Sequence, residues 1–584
     1  MDRPLTQLIS PDQAQTLDGL FRLRVEQSGD KVAYRQYDYD ERHWCELTWQ
    51  QMGQRVAACQ LEIGKLNLAP GERIGIMAAN RHQWVVFEQA ALGLGLVVVP
   101  LFANDRPDNV AYILEHAGVR LLLVQGQEQW RALNAICVEQ KVIIWSIDPI
   151  SDKGVKTWSD MNWDVDAELQ SSPAATDELA TIVYTSGTTG KSKGVMLSHR
   201  NILWNAHSGL RAVAVFEDDS LLSFLPLSHT LERTIGYYLP MMCGASVAYA
   251  RSISHLAADL QTIKPTVLIS VPRIYERTFN RIQESLTKPI AKKLFAITVS
   301  VGWARFERSQ GRGGWQLGMC LWPLLNKLVA NKVMEKLGGR LRIAICGGAP
   351  LPAVVGKTFV GLGLNILQGY GMTESSPVIA VNTFDNNDPA SVGPAMPDVE
   401  VKIGDKDELL AKSPGVMLGY WKNPKASTDT VDAEGWLHTG DKAKLESDRV
   451  YITGRLKDII VLANGEKVSP ADMEDAIASD PIFEQVMMVG EGRPFLLALL
   501  VLNPDIAKQA GLAGELTKKE LRQKILPRVS ATLGEFPGYA QVRRVVIVTE
   551  PWTVENGLLT PTLKIKRAPI LQRYVDEIDK LYER

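Results

Sequence analysis

Short apolar runs alternate with helix-length segments along most of the chain. Between about Phe21 and Trp49 the runs KVAYRQY and HWCELTW alternate polar and apolar positions and predict a β-hairpin. WQQMGQRVAACQLEIG follows as a helix, and GERIGIMAAN, RLLLVQ and KVIIW read as further strands. The most apolar stretch, WVVFEQAALGLGLVVVPLFA, carries Glu88, Gln89 and several glycines, which predicts a buried helix, a turn and a strand rather than a membrane span. Apolar strands separated by helices imply an α/β fold with a parallel-rich sheet covered on both faces. Ligands on such sheets bind at the carboxyl ends of the strands. Towards the end, EDAIASDPIFEQVMMVG and FLLALLVL predict a separate small α/β domain.

At 584 residues the chain exceeds a single core, so two or more domains are expected. Its 46% hydrophobic and 22% charged content is ordinary for a globular protein, and a net charge of −2 argues against a dedicated nucleic-acid binder. The six cysteines are scattered without a C-x-x-C pair, which speaks against a disulfide framework or zinc site and for a reducing, cytoplasmic setting. MDRPLTQLISPDQAQ lacks the basic start and apolar centre of a signal peptide. Residues 273–342 are basic, helix-prone and tryptophan-rich; they predict a solvated helical hairpin packed on the sheet, or a segment lying peripherally on the inner face of a membrane.

The stretch that carries chemistry is TIVYTSGTTGKSKGVMLSHRN, residues 181–201. An apolar, β-branched strand runs into a loop of hydroxyls, glycines and lysines, after which VMLSHRNILWNA reads as a helix start. Such a loop wraps N–H groups and hydroxyls around a phosphate chain, with Lys191 or Lys193 adding charge; a mobile surface loop is the plain alternative. It is not a Walker A loop, because that spacing needs glycine where Thr185 stands.

The stretch resembles the signature of the AMP-forming adenylating enzymes: acyl-CoA synthetases, luciferases and peptide-synthetase adenylation domains. Further motifs follow in that family's order. RLRIAICGGAP runs into a turn, Gly347, Gly348 and Ala349, that the resemblance puts against adenine. NILQGYGMTESS supplies Gln368, Gly369, Tyr370 and Gly371; the resemblance implies that Tyr370 stacks on adenine, Thr373 bonds the α-phosphate and Glu374 holds Mg²⁺, with Thr185 a further ligand candidate. It also implies that Thr185, Ser186, Gly187, Thr188, Thr189, Gly190 and Lys193 hold the leaving pyrophosphate, and that His229 lies near the reacting carboxylate. Asp441 of GWLHTGD and Arg455 would bind ribose, Lys457 would be the hinge of a mobile C-terminal lid, and Gly465 would face the CoA channel. The lysine that reaches the nucleotide during adenylation corresponds to Lys564, with Lys566 its neighbour. The family's Gly-Glu and Gly-Pro are Asp407-Glu408 and Ser413-Pro414 here, at positions that read as sheet scaffold.

The Glu232-Arg233 pair and VPRIYER, residues 271–277, resemble the long-chain fatty acyl-CoA synthetases in particular. The implied architecture is a large N-terminal domain, 1–453, of parallel-rich sheets flanked by helices plus a β-subdomain, and a small mobile α/β lid, 454–584. The implied activity is ATP- and Mg²⁺-dependent activation of a medium- to long-chain fatty acid to acyl-AMP, followed by transfer to coenzyme A. An acyl-AMP ligase serving a carrier protein is the nearest rival. A non-catalytic acyl- or nucleotide-binding protein would be expected to lose Lys564 or Glu374, and neither is lost. The sequence sets no oligomeric state.

Overall fold

A computed structural model describes residues 7–152, 154–163, 166–185, 192–456, 458–512, 517–534, 536–560 and 564–583. Two eight-stranded sheets frame the larger part. In the first, Arg73–Met77 lies between Val97–Leu101 and Val119–Val124, all parallel, with Ile143–Ser146 beyond. Val97–Leu101 also pairs in parallel with Leu179–Thr185. In the second, Ser246–Tyr249, Ser220–Ser223, Val267–Ser270, Ile343–Cys346 and Ile366–Gly371 run parallel. Antiparallel Val378–Val381 closes one edge and the expected hairpin, Val32–Asp38 with His43–Thr48, the other. These inner strands are mostly apolar, in keeping with cover on both faces; every residue of Val97–Leu101 and Ile343–Cys346 is buried.

The helices start where local chemistry stops the strands. Trp49–Gly64 opens with a capping box in which Thr48 Oγ1 accepts from Gln51 N (3.2 Å) while Gln51 Oε1 accepts from Thr48 N (2.9 Å). His82–Gly93 is the buried helix expected from the apolar stretch, and it carries Glu88 into the core. That carboxylate pairs with Arg233, whose Nη1 also donates to Thr181 Oγ1 (2.8 Å). The pair thereby joins this helix, the strand Leu179–Thr185 and the π-helical turn Glu232–Tyr238.

Two expectations change. After the glycine-rich loop the chain does not enter a helix at once. Val195, Met196 and Leu197 first return as the antiparallel strand Lys193–Ser198, and the helix begins at His199, capped by Ser198. This strand gains ladder partners on both sides, Leu179–Thr185 and Gly419–Tyr420, which an early helix would forfeit. LLSFLPLSHTLER reads from sequence as a strand ending at Pro226, but the strand ends at Ser223. Asn80 takes over there, donating to Leu225 O (2.6 Å) and accepting from Leu227 N (2.9 Å).

A four-stranded antiparallel sheet, Glu400–Ile403, Glu408–Lys412, Leu437–Glu446 and Arg449–Arg455, forms the β-subdomain. Beyond it, Phe483–Val489, Leu496–Leu502 and Val542–Val548 make a small sheet with its own cores, built only from residues after 459. The basic segment is helical and packs on Ala353–Gly361, the helix after the second sheet's Gly-Gly-Ala turn. Its helix Pro289–Ser309 approaches so closely that a Cβ at Gly302 would stand 1.8 Å from Gly361 O. Among the described residues no helix is long and apolar enough to cross a membrane.

Candidate active site

The carboxyl ends of the second sheet's strands meet the β-subdomain, and the adenylation motifs gather there. Cys346 is level with Gln368, so the turn at 347–349 sits beside the strand Ile366–Gly371. Gly348 has φ +84°, in the left-handed region that favours glycine. At Gly371 a Cβ would lie 1.9 Å from Pro377 O, so only glycine fits. Gln368 is engaged by scaffold: its Oε1 accepts from Leu351 N (3.1 Å) and its Nε2 donates to Pro389 O. Tyr370 reaches across to the subdomain, where its hydroxyl donates to Asp441 Oδ2 (2.6 Å) and Arg455 Nε donates to Asp441 Oδ1 (2.9 Å). Asp441 is buried, and a carboxylate with about four lone-pair sites keeps acceptor capacity beyond these two bonds. Burial, then the Asp441 charge, raises the Tyr370 hydroxyl well above its ordinary range, so it stays a donor.

A second cluster forms around Glu374. Tyr420, on the short strand Gly419–Tyr420, donates its hydroxyl to Glu374 Oε1 (2.7 Å), and Lys193 Nζ lies 4.6 Å from the centroid of the Tyr420 ring. Because that strand pairs with Lys193–Ser198, the loop's exit, the tyrosine and the carboxylate share one frame. Met417 N also donates to Glu374 O (2.9 Å). Thr185 pairs with Lys193 at the mouth of the loop; Ser186, Gly187, Thr188, Thr189 and Gly190 lie outside the described residues, as does the expected hinge Lys457. Thr373 Oγ1 stands 3.4 Å from Thr230 Oγ1, next to His229. Neither Tyr420 nor Thr230 was predicted from sequence. The Gly-Tyr-Trp at 419–421 is an aromatic signal, but only the fold brings it to Glu374.

His229 is half-buried, and its Nδ1 accepts from Leu231 N (3.2 Å), which leaves Nε2 to carry the proton of a neutral ring. Burial, and then the charge of Lys564, pushes the imidazole down to about 4. Lys564 thus stands within electrostatic reach of His229 although it belongs to the C-terminal part. Its own ammonium is lowered by desolvation in the cleft and by Arg455, with Asp441 and Glu374 pulling the other way, while its side chain keeps contact with solvent. Its backbone is tied to Thr560: Thr560 N donates to Lys564 O (2.8 Å) and Lys564 N to Thr560 Oγ1 (3.0 Å). Gly465 occupies the turn of a hairpin, Ile460–Val461 with Lys467–Val468, at φ +84° with open space around it. Among the described residues no cluster of three or more His, Cys, Asp or Glu is placed to hold a metal. One carboxylate, Glu374, suits an ion such as Mg²⁺, which takes one or two carboxylates and fills its shell with phosphate oxygens and water.

The family profile of AMP-binding enzymes matches residues 21–421, and that of the AMP-binding enzyme C-terminal domain matches residues 457–584. The chain belongs to the AMP-binding enzymes. Among relatives in this family, the long-chain-fatty-acid–CoA ligase FadD15 of Mycobacterium bovis is 30% identical over 562 residues, covering 93% of each chain. The chloroplastic long-chain-fatty-acid–[acyl-carrier-protein] ligase AEE15 of Arabidopsis thaliana is 28% identical, covering 96% of this chain and 86% of that protein. The fold matches the solved structure of the anthranilate CoA ligase AuaEII in complex with anthranoyl-AMP, with a TM-score of 0.75 at 20% identity over 99% of this chain and all of the other. At that identity the likeness is one of fold.

Proposed function

We propose that this AMP-binding enzyme is a medium- to long-chain fatty acyl-CoA synthetase. The observation that carries the adenylation is that Tyr370 and Arg455 hold Asp441 while Tyr420 holds Glu374 beside Lys193, at the exit of the glycine-rich loop. The fatty substrate and the CoA acceptor are supported by the likeness to FadD15 over 93% of both chains.

In this reading a fatty carboxylate oxygen attacks the α-phosphorus of ATP in line. The bond from the α-phosphorus to the bridging oxygen breaks, and pyrophosphate leaves with that electron pair. The CoA sulfur, having lost its proton, then attacks the acyl carbonyl, and AMP leaves with the electrons of the acyl–oxygen bond. The turn at 347–349 and Tyr370 would hold the base, Asp441 and Arg455 the ribose, and Thr373 the α-phosphate. The loop from Thr185 to Lys193 would hold the departing phosphates. Glu374, with Thr185 a second candidate, would hold Mg²⁺, which when bound neutralises phosphate charge. Lys564 would meet the charge that develops at the α-phosphate, where a positioned cation stabilises the transition state. His229 carries no charge at neutral pH, so its Nε2–H would orient the carboxylate without binding it tightly. Residues 1–453 would then act as the nucleotide and acyl domain and 454–584 as a lid pivoting at Lys457, which carries Gly465 to the CoA channel.

The test is product analysis with ATP, Mg²⁺ and a panel of fatty acids, with and without CoA. AMP and acyl-CoA formed only with CoA and a medium or long acid are expected. Accumulation of acyl-AMP that CoA leaves unchanged, but a carrier protein discharges, would turn the reading to the AEE15 type.

A further inference from the structure

The helical segment that covers Ala353–Gly361 presents apolar side chains on both of its faces. Its inner face is packed: Met319, Leu325 and Ala330 are buried, and Trp322 presses on Gly302. Its outer face carries Leu317, Leu321, Leu324 and Leu328, spaced as one helical stripe and between 43% and 80% exposed. Trp315 and Ile290, from the flanking loop and helix, are exposed as well. Seven of the twenty large hydrophobic side chains exposed among the described residues fall between positions 290 and 328, under a tenth of the chain. Scattered exposed apolar residues need no explanation, but a concentrated stripe marks a surface that something covers.

Charge identifies what. Between residues 286 and 340 the sequence holds ten lysines and arginines against two glutamates, in a protein whose net charge is −2. Lys288, Lys292 and Lys293 precede the stripe in the sequence, Lys327 lies within it and Lys332 and Lys336 follow it; all six are exposed. Exposed leucines and a tryptophan in a lysine-rich segment suit a surface that is anionic outside and hydrocarbon beneath. The platform is rigidly mounted. Besides the close Gly302–Gly361 crossing, Gln310 Nε2 donates to Phe384 O (2.8 Å) and Gln310 Oε1 accepts from Asn387 N (2.8 Å).

We propose that this leucine-and-lysine face docks the protein on anionic phospholipid bilayers. Its purpose rests on the fatty-acyl reading above: a long-chain acid partitions into the bilayer, and docking brings the cleft to its supply. The face lies on the surface and spans nothing, in keeping with the absence of a spanning helix among the described residues.

The experiment is co-sedimentation of the full chain with vesicles of equal parts phosphatidylcholine and phosphatidylglycerol, against vesicles of phosphatidylcholine alone. The protein is expected to bind the anionic vesicles, and raised salt to release it. Leu317→Ser/Leu321→Ser/Leu324→Ser and Lys327→Glu/Lys332→Glu/Lys336→Glu should each lose roughly tenfold or more in vesicle affinity. Pyrophosphate release with a soluble medium-chain acid, measured without vesicles, should stay at the wild-type level in both and reports that they fold. Failure of the wild type to bind anionic vesicles, or variants that bind as it does, would overturn the proposal. So would a wild-type dimer that the leucine variant turns into a monomer, since the face would then be an interface between copies. Vesicle binding without any acyl-AMP formation would instead sink the fatty-acyl reading and leave the docking surface standing.

Discussion

Tyr420 joins the candidate metal ligand to the candidate phosphate loop: its hydroxyl holds Glu374 at 2.7 Å while its ring lies under Lys193. A hydrogen bond to a charged group contributes about 1.5–3 kcal/mol, enough to fix one rotamer of a carboxylate that must meet an ion. Tyr420→Phe keeps the ring beneath Lys193 and removes only that bond. It should raise the Mg²⁺ concentration needed for half-maximal pyrophosphate release by about tenfold, with the KM for the fatty acid little changed. A Mg²⁺ dependence identical to wild type would show that Glu374 needs no such support. Asp441 stands in a similar relation to Tyr370 and Arg455, but the sequence assigns those three a role, whereas Tyr420 lies in the looser match, 407–424, with none. Its role depends on a contact between positions 374 and 420, which no local spacing encodes.

At the scale of elements, the alternation of strands and helices was readable because each buried strand is apolar and each helix has a cap or turn at its start. What was not readable depends on long-range partners. Val195–Met196–Leu197 is compatible with either helix or strand, and only the ladders on both sides decide for strand. The outward leucines of residues 317–328 follow a helical period, yet that period alone would turn them inward; Leu325 and Ala330 take the inner face instead. The Glu232-Arg233 pair divides in the same way. Arg233 finds Glu88, whereas Glu232 is buried in the π-helical turn Glu232–Tyr238 with neither carboxyl oxygen hydrogen-bonded among the described residues. Gly236 makes room for it, since a Cβ there would stand 2.5 Å from Oε1. Burial pushes this carboxyl up from 4.5 to about 8. The folded protein therefore holds a proton that the unfolded chain releases, and the stabilisation present below about 4.5 is lost as pH rises through about 8. Glu232→Gln, which cannot ionise, should match wild type near pH 5 and exceed it near pH 9 by on the order of 3 kcal/mol. Thermal unfolding at both pH values reads the difference; parallel curves for the two proteins would mean that the carboxyl ionises in the fold without penalty.

At the scale of the molecule, two separately cored parts meet over one cleft. The C-terminal sheet carries its own hydrophobic clusters, so it has the means to move as a body. It touches the larger part at defined places. Gly557 lies against Arg106, where a Cβ would come within 2.7 Å of Nη1, and Lys564 enters the field of His229. In the proposed reaction this arrangement would suit adenylation, with Lys564 at the phosphates, and Gly465, at an exposed turn, would need a reorientation to meet CoA. The two half-reactions should then separate by mutation. Lys564→Ala should slow acyl-AMP formation by roughly 10²–10³-fold, the cost of one preorganised charge at a developing oxyanion, while thioester formation from supplied acyl-AMP persists. Lys457→Pro stiffens the segment between the parts and should do the reverse, sparing adenylation and slowing thioester formation. Measuring both half-reactions in both variants distinguishes a moving lid from a fixed one. If Lys564→Ala impairs the two steps equally, the lysine acts in a single static site. If Lys457→Pro leaves both untouched, whatever motion delivers CoA pivots elsewhere.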